Sequence, residues 1–265
     1  MKKRLARKQR AIRFGQGRSP EGKTAVAGQL HPEFPELREP AAPLLSRLRQ
    51  FCFPGGEDPS RSVIAVRITE QGEIRMSPEA RWIPFTAEQT IDARRSNFRW
   101  SARLSSSRLT PVTVTDAYED GHGYLTVKAA GLIPLKKITG ADIDQGELQR
   151  YLASIVFCPP ALLNHPSLEW SAAGPSVLRV RDRNDNTGAT VDLEISPDGR
   201  PAACRARRPR LVGKQSVLTP WWGTYLEFGE WEGMRVASRL EVSWELPEGP
   251  FTYFRSRVTS LRGVR

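Results

Sequence analysis

Residues 144–163, DQGELQRYLASIVFCPPALL, combine a helix start, a helical period and a helix stop in one segment. Asp144 and Glu147 have the spacing of a capping box, in which each side chain accepts a hydrogen bond from a backbone N–H of the first turn. The apolar side chains that follow recur at helical spacing and indicate one buried face. They are Leu148, Tyr151, Leu152, Ile155 and Val156. The sequence therefore predicts one main helix, which ends at Pro159 and Pro160.

Most of the remaining chain has the pattern of β-strands joined by turns. A short helix is predicted at residues 41–51, and about eleven strands occupy the rest of the chain around the main helix. The first two predicted strands, residues 63–69 and 73–76, form a hairpin around Gln71-Gly72. Because hairpins rather than helices connect the strands, the sheet should be antiparallel. The predicted fold class is α+β, with a large curved antiparallel β-sheet wrapped on the main helix.

The basic character of the chain is concentrated at its N-terminus. The net charge is +11 at pH 7, and residues 1–18 hold eight Lys/Arg and no acidic residue. The other residues carry 32 Lys/Arg against 29 Asp/Glu and are close to neutral. We therefore predict a flexible, proline-containing leader at residues 1–39 and a single β-rich domain at residues 40–265. We expect only weak contact with anionic surfaces through residues 1–18, and we predict no specific nucleic acid.

The cysteines and histidines show neither a disulfide pattern nor a metal-binding pattern. Cys52, Cys158 and Cys204 form an odd set without C-x-x-C spacing, which predicts free thiols in a reducing compartment. The three histidines lack the spacing of zinc ligands, so we expect no metal and no cofactor. No apolar segment approaches the roughly 20 residues of a membrane span. We therefore expect a soluble, cytoplasmic protein.

Four sequence blocks occur in a fixed order along the chain. They are W-x-x-F-x-A-x-Q at residues 82–89, D-x-Y-x-x-G-x-G at 116–123, G-E-L-x-R-Y-L at 146–152 and T-P-W at 219–221. Together with the segments around them, at residues 40–262, they resemble an uncharacterised bacterial family, a domain of unknown function. The resemblance implies a fold similar to the lipoprotein-carrier half-barrels, in which a curved antiparallel sheet wraps a helix and leaves an apolar cavity. It implies no known activity.

The candidate site consists of polar residues that lie among aromatic residues in these blocks. A half-barrel pocket with aromatic walls and a few convergent polar groups is typical of small-ligand sites. The predicted ligand-binding residues are Phe85, Gln89, Trp100, Asp116, Tyr118, Glu147, Arg150, Tyr151 and Trp221. The alternative interpretation is structural. In that case Glu147 caps its helix, Arg150 pairs with a carboxylate on the helix surface, and the tryptophans fill the core.

Three functions are compatible with these residues. The first, which we favour, is a soluble, non-enzymatic binding protein for an apolar or amphipathic small molecule, such as a lipid. The second is an enzyme that uses acid/base groups in the same cavity. Its candidate groups are Asp116, Glu147, Arg150 and Tyr151. The third is an interaction protein that docks on anionic lipid or nucleic acid through its basic N-terminal residues.

Overall fold

The computed structural model describes residues 41–56, 62–105, 111–131, 133–213 and 215–265. The predicted leader at residues 1–39, and the surface contact predicted for residues 1–18, lie outside the described residues. The helices are α1 Ala42–Cys52, α2 Ala141–Ser154 and α3 Pro159–Asn164, with a 3₁₀ turn, Ile155–Phe157, between α2 and α3. The strands are β1 Ala65–Ile74, β2 Ile83–Asp92, β3 Phe98–Leu104, β4 Val112–Glu119, β5 His122–Ala129, β6 Ile133–Ile138, β7 Leu168–Gly174, β8 Val177–Asp182, β9 Val191–Ile195, β10 Pro201–Val212, β11 Gln215–Trp231, β12 Met234–Leu246 and β13 Gly249–Val264.

All of these strands belong to one antiparallel sheet with an unusual order along the chain. The spatial order is β6-β5-β4-β3-β2-β1-β13-β12-β11-β10-β9-β8-β7. The first six strands therefore run outward from the middle to one edge, and the last seven run inward from the opposite edge. The helical segment connects the two edges, so the chain must cross a face of the sheet at α2 and α3.

The sheet curves around α2. This helix contacts β4 and β5 on one side and β9 and β10 on the other, although many strands separate these two pairs in the sheet order. A flat sheet could not bring both pairs to one helix, because neighbouring strands are about 4.8 Å apart. The predicted α+β class, with an open, curved antiparallel sheet and few helices, is confirmed. The sheet has 13 strands, more than the eleven predicted.

The predicted hairpin around Gln71-Gly72 is wrong, because both residues lie inside the continuous strand β1. This strand pairs with β2 on one side and with β13 on the other. A Cβ at Gly72 would lie 2.2 Å from the Arg255 carbonyl oxygen and 2.7 Å from Cζ of Phe85. The glycine thus permits a close approach between strands and does not form a turn.

The predicted start of the main helix is also wrong. Helix α2 begins at Ala141, its N-cap is Gly140, and no side chain caps it. The Asp144 carboxylate instead accepts a hydrogen bond of 2.7 Å from the backbone N–H of Gly123 in β5. The Asp144 side chain therefore makes a tertiary contact with β5 and does not cap the helix.

The two prolines do not end this helix but start the next one. Helix α2 gives way to the 3₁₀ turn after Ser154, and Pro159 and Pro160 occupy the first turn of α3. Proline is favoured at this position because the first N–H groups of a helix have no intrahelical acceptor. The predicted single helix is in fact two helices with a short turn between them.

The predicted apolar face of the helix is confirmed. Its five residues, at positions 148, 151, 152, 155 and 156, are all at most 2% exposed. Gln149 and Ser154 lie off this face but are buried as well, because the sheet encloses the helix on several sides. The Gln149 amide donates a hydrogen bond of 3.0 Å to the Arg207 carbonyl oxygen, which satisfies part of its polar group. The short helix predicted at residues 41–51 is confirmed as α1.

We expect Gly123→Ala to lower the free energy of unfolding by about 1–3 kcal/mol, the usual range for overpacking. A Cβ at this position would lie 2.6 Å from the Ile143 carbonyl oxygen and 3.0 Å from Cα of Asp144. Both atoms belong to the backbone of α2, so the helix would have to move away from β5. Urea denaturation measures the loss. Gly174→Ala is the matched control, because a Cβ there makes an ordinary contact of 3.6 Å with Val177. Equal stability of the two variants would contradict the prediction.

Candidate functional site

A cavity of about 370 Å³ lies between α2 and the concave face of the sheet. Its walls are mostly apolar and come from α2 and from strands in both halves of the sheet. The aromatic lining residues are Trp100, Phe157, Trp221, Tyr225, Trp244, Tyr253 and Phe254. Met76 and Leu211 also line the cavity, yet they are 69% and 57% exposed, so they mark its mouth. The cavity is therefore open to solvent at an apolar rim.

Six of the nine predicted ligand-binding residues line this cavity. They are Gln89, Trp100, Asp116, Glu147, Arg150 and Trp221. Phe85 packs behind Trp100, with ring centroids 5.5 Å apart. Tyr118 and Tyr151 are buried elsewhere, and the Tyr151 hydroxyl donates a hydrogen bond of 3.0 Å to the Asp92 carbonyl oxygen. These last three residues therefore do not line the cavity.

The first polar pair in the cavity joins α2 to β4. The Arg150 guanidinium donates a charge-assisted hydrogen bond to Oδ2 of Asp116. The same guanidinium lies 4.7 Å from the ring centroid of Trp100 and 5.4 Å from that of Phe98. Its charge is thus balanced by a carboxylate and by two aromatic faces. This pair therefore joins the helix to the sheet at the cavity wall. In the structural interpretation, Arg150 would have paired with a carboxylate on the helix surface.

The second polar pair joins α2 to β10. The Arg208 guanidinium donates a hydrogen bond of 3.0 Å to Oε1 of Glu147 and lies 5.3 Å from the ring centroid of Trp221. Sequence reasoning missed Arg208 because it lies in the basic run RARRPR, where nothing distinguishes an inward-facing arginine from its exposed neighbours. The two pairs therefore have the same arrangement, in which an arginine contacts both a carboxylate and a tryptophan ring.

Glu70 contributes a third carboxyl group to the lining. It lies on β1, is 5% exposed, and accepts a hydrogen bond of 2.5 Å from the indole N–H of Trp100. Burial raises the pKa of this carboxyl above its usual value. Sequence reasoning missed Glu70 because the adjacent Gln71-Gly72 was interpreted as a turn, where a glutamate would be solvated.

The pKa of the Glu147 carboxyl group is also raised. Burial raises its pKa to about 7, Arg208 acts in the opposite direction, and the Asp116 charge raises it further. The desolvation of the carboxylate thus outweighs the attraction of its partner. Glu147 changes its charge near neutral pH.

Several buried polar atoms of the lining have no hydrogen-bond partner among the described residues. They are Nε2 of Gln89, Oδ1 of Asp116, Oε2 of Glu147 and Nε of Arg210. A buried donor or acceptor without a partner costs about 1–3 kcal/mol. Part of the hydrogen-bonding capacity of the lining residues is therefore unused.

The part of the chain that the structure describes contains no cluster of three or more His, Cys, Asp or Glu side chains able to hold a metal ion. Its helices are all too short or too polar to cross a membrane. Cys52, Cys158 and Cys204 are buried and unbridged, as predicted, and burial raises the pKa of each thiol. Neutral thiols of this kind are poor nucleophiles.

The fold and cavity define an open antiparallel half-barrel wrapped on a helix. The chain belongs to the family of unknown function DUF6544, whose model matches residues 50–256. The resemblance to a family of unknown function, inferred from the four sequence blocks, is thereby confirmed. No curated protein matches the chain.

Solved structures with a similar fold include the following two. A LolA superfamily protein from Nitrosomonas europaea is 12% identical, with a TM-score of 0.48 over 85% of this chain and 94% of that one. A DUF1329 family protein from Desulfovibrio piger is 9% identical, with a TM-score of 0.47 over 85% of this chain and 93% of that one.

Proposed function

We propose that this protein binds an apolar or amphipathic small molecule, such as a lipid, in the cavity between α2 and the sheet. The observation that carries the proposal is the cavity itself, with its volume of about 370 Å³, its aromatic walls and its few convergent polar groups. Small-ligand sites typically have volumes of about 300–1,000 Å³ and this kind of lining. An ordinary core would be filled by side chains at this point.

The walls favour an aliphatic or aromatic portion of the ligand. Each methylene group that leaves water for an apolar wall contributes about 0.8 kcal/mol. Because the rim residues Met76 and Leu211 are themselves apolar and exposed, such a chain meets a continuous apolar path from the mouth inward. The polar side chains of the lining would fix the orientation of a ligand that carries a polar group.

Filling the cavity should weaken binding while the fold is kept. We expect the double substitution Val114→Trp and Val127→Trp to weaken uptake of the neutral dye N-phenyl-1-naphthylamine by at least about ten-fold, equivalent to 1.4 kcal/mol. Both valines line the cavity and face each other across β4 and β5. Two indole rings in their place would occupy much of the free volume. Dye fluorescence, which increases in an apolar site, measures the change.

The matched control places the same two side chains on the other face of the same strands. Thr113 and Thr126 are adjacent in sequence to the two valines, do not line the cavity, and alternate to the opposite face. We expect Thr113→Trp with Thr126→Trp to bind the dye as the natural protein does. If the inward and outward variants bind the dye equally well, the cavity is not the binding site.

A further inference from the structure

We propose that the protein docks on anionic membrane surfaces through the end of the sheet at which the cavity opens, called here the mouth end. Two groups of exposed apolar side chains, one on the β5–β6 hairpin and one on the β10–β11 hairpin, would enter the membrane boundary. The docking surface is distinct from the basic N-terminal residues 1–18. The proposal goes beyond the proposed function, because it concerns a surface of the protein and not the content of its cavity.

The first apolar group lies on the edge strand β6. Ile133 and Leu135 are 60% and 59% exposed. Ile133 is in register with Ala129 of β5, and Ala129 is in register with Val112 of β4. Val112 is in turn in register with Leu104, which ends β3 and lines the cavity. This group therefore lies at the same end of the sheet as the last part of the cavity lining on β3.

The mouth residue Met76 lies at this end as well. Leu104 is in register with Phe85 of β2, and Phe85 is in register with Gly72 of β1. Strand β1 continues past Gly72, and Met76 follows its last residue. The register thus leads directly from the exposed side chains of β6 to the mouth of the cavity.

The second apolar group lies on the β10–β11 hairpin, on the other side of α2. Its members are Leu211, Val212, Val217 and Leu218. Val217 pairs with Arg210 and Leu218 pairs with Pro209, and both partners line the cavity. Strand β9 pairs with β10 only as far as Arg205, so the hairpin extends past its neighbour. The two apolar groups therefore flank the mouth from opposite sides.

The clustering of these side chains distinguishes the mouth end from the rest of the surface. Among the described residues, nine large apolar side chains are exposed, and seven of them belong to the mouth end. The other two, Ile64 and Leu226, lie elsewhere and apart from each other. Single exposed apolar side chains are normal on a protein surface, whereas a cluster around an apolar opening indicates an interaction surface.

The charges beside the two apolar groups are all positive. Lys128, Lys136, Lys137 and Arg207 are exposed, and none of them forms an ion pair with another described residue. Residues 125–138 and 206–222 contain no Asp or Glu. The charges at this end balance in the strands between the two hairpins. They are Glu79, Glu245 and Glu248 against Arg75, Arg81 and Arg103.

This combination matches the chemistry of an anionic bilayer. Apolar side chains of a surface-bound protein enter the boundary between head groups and acyl chains to a depth of about 5–10 Å. Each Lys or Arg near an anionic membrane surface strengthens binding by roughly five-fold. A mouth that docks in this way opens toward acyl chains, and the cavity walls have the same apolar character.

The first test measures whether the mouth end leaves water. The dye NBD, whose fluorescence increases in apolar surroundings, is attached to Leu135→Cys or Leu218→Cys in the full-length protein. The native cysteines are buried, so the label reacts at the introduced thiol. We expect vesicles of phosphatidylcholine and phosphatidylglycerol to increase the fluorescence of both labels at least about two-fold. Leu226→Cys is the matched control, because Leu226 is 41% exposed but lies away from the mouth end, and its label should stay in water.

The second test removes positive charge. We expect Lys136→Gln with Lys137→Gln to weaken binding to the same vesicles at least about ten-fold in a flotation assay. The matched control is Arg67→Gln with Arg262→Gln, which removes the same net charge. These two arginines are exposed and in register with each other near the opposite end of the sheet. The control should bind the vesicles as the natural protein does.

Three outcomes would overturn the proposal. If the protein floats with the vesicles while the labels at positions 135 and 218 stay in water, residues 1–18 account for the binding. If the protein does not bind anionic vesicles at all, the two apolar groups form a surface for another protein. An equal increase for the label at position 226 would show that the mouth end is not the docking face.

The proposed function is judged by a separate measurement. The double variant Leu135→Cys with Leu218→Cys changes no residue of the cavity lining, so it should take up N-phenyl-1-naphthylamine in the absence of vesicles. If the natural protein fails to take up the dye but its mouth end enters the vesicles, the proposed function is wrong and the docking proposal is supported.

Discussion

Replacing Arg208 with Met should lower the free energy of unfolding by about 3–5 kcal/mol at pH 8, the range for breaking a buried ion pair from one side. Methionine keeps much of the aliphatic stem but removes the donor 3.0 Å from Oε1 of Glu147. The Glu147 carboxylate, with a side chain only 7% exposed, is then left without its cation. The loss should be smaller at pH 5, where Glu147 is protonated and needs no counter-charge.

A surface pair on the same strand is the matched control. Arg205 pairs with Glu194, and their side chains are 58% and 35% exposed. We expect Arg205→Met to cost at most about 1 kcal/mol, because exposed pairs are screened by water. Combining Arg208→Met with Glu147→Gln should restore part of the loss. Urea denaturation of the natural protein and the three variants measures these values. Equal losses for Arg208→Met and Arg205→Met would show that the buried pair contributes no more to stability than the exposed one.

The second large effect is a decrease in stability with rising pH. Glu147 has a pKa of about 7 in the folded protein, above its ordinary value of 4.5. Between these two values the unfolded chain has released the proton and the folded chain still holds it, so raising the pH favours unfolding. At about 1.4 kcal/mol per pKa unit, this single group should reduce the free energy of unfolding by on the order of 3 kcal/mol between pH 4.5 and pH 8.

The measurement compares denaturation curves of the natural protein and of Glu147→Gln across this pH range. In Glu147→Gln, most of the decrease in the free energy of unfolding with rising pH should disappear. In Glu194→Gln, at the surface, the decrease should remain. Glu70 acts in the same direction, since burial raises its pKa too, so a smaller decline should persist in Glu147→Gln. Parallel curves for the natural protein and Glu147→Gln would mean that the carboxyl group is ionised throughout.

Local patterns were sufficient to predict the elements that depend on neighbouring residues. The apolar spacing in residues 144–163 predicted the buried face of α2. The pattern of strands joined by hairpins predicted the antiparallel sheet. The exposed edge strand β6 was missed because its sequence, IPLKKI, lacks buried positions with which to set an alternating pattern.

Errors arose where a distant partner replaced a local one. Asp144 and Glu147 have the spacing of a capping box, but Gly123 and Arg208 are their partners. Gly72 has the sequence context of a turn, but the approach of Arg255 and Phe85 explains it. These partners are brought together only by the curvature of the sheet, which no short window of sequence contains.

The candidate site was partly predictable for the same reason. Aromatic and polar residues in the blocks around Trp100, Asp116 and Glu147 indicated six residues of the cavity lining. Arg208 and Glu70 were missed, although each completes a polar contact on the cavity wall. Arg208 is 61 residues from Glu147, and Glu70 is 30 residues from Trp100, so spacing along the chain gives no signal of either pairing.

The strand order also has a consequence for how this sheet assembles. Strands β1–β6 and β7–β13 each form a run in which every strand pairs with its neighbour in sequence, and only the pairing of Ala65 with Val264 and its neighbours in β1 and β13 joins the two runs. Loop-closure entropy makes such a long-range pairing slow compared with local hairpins. We therefore expect the two runs of strands to form first and β1 to pair with β13 last. The formation of this pairing should then be the rate-limiting step of folding.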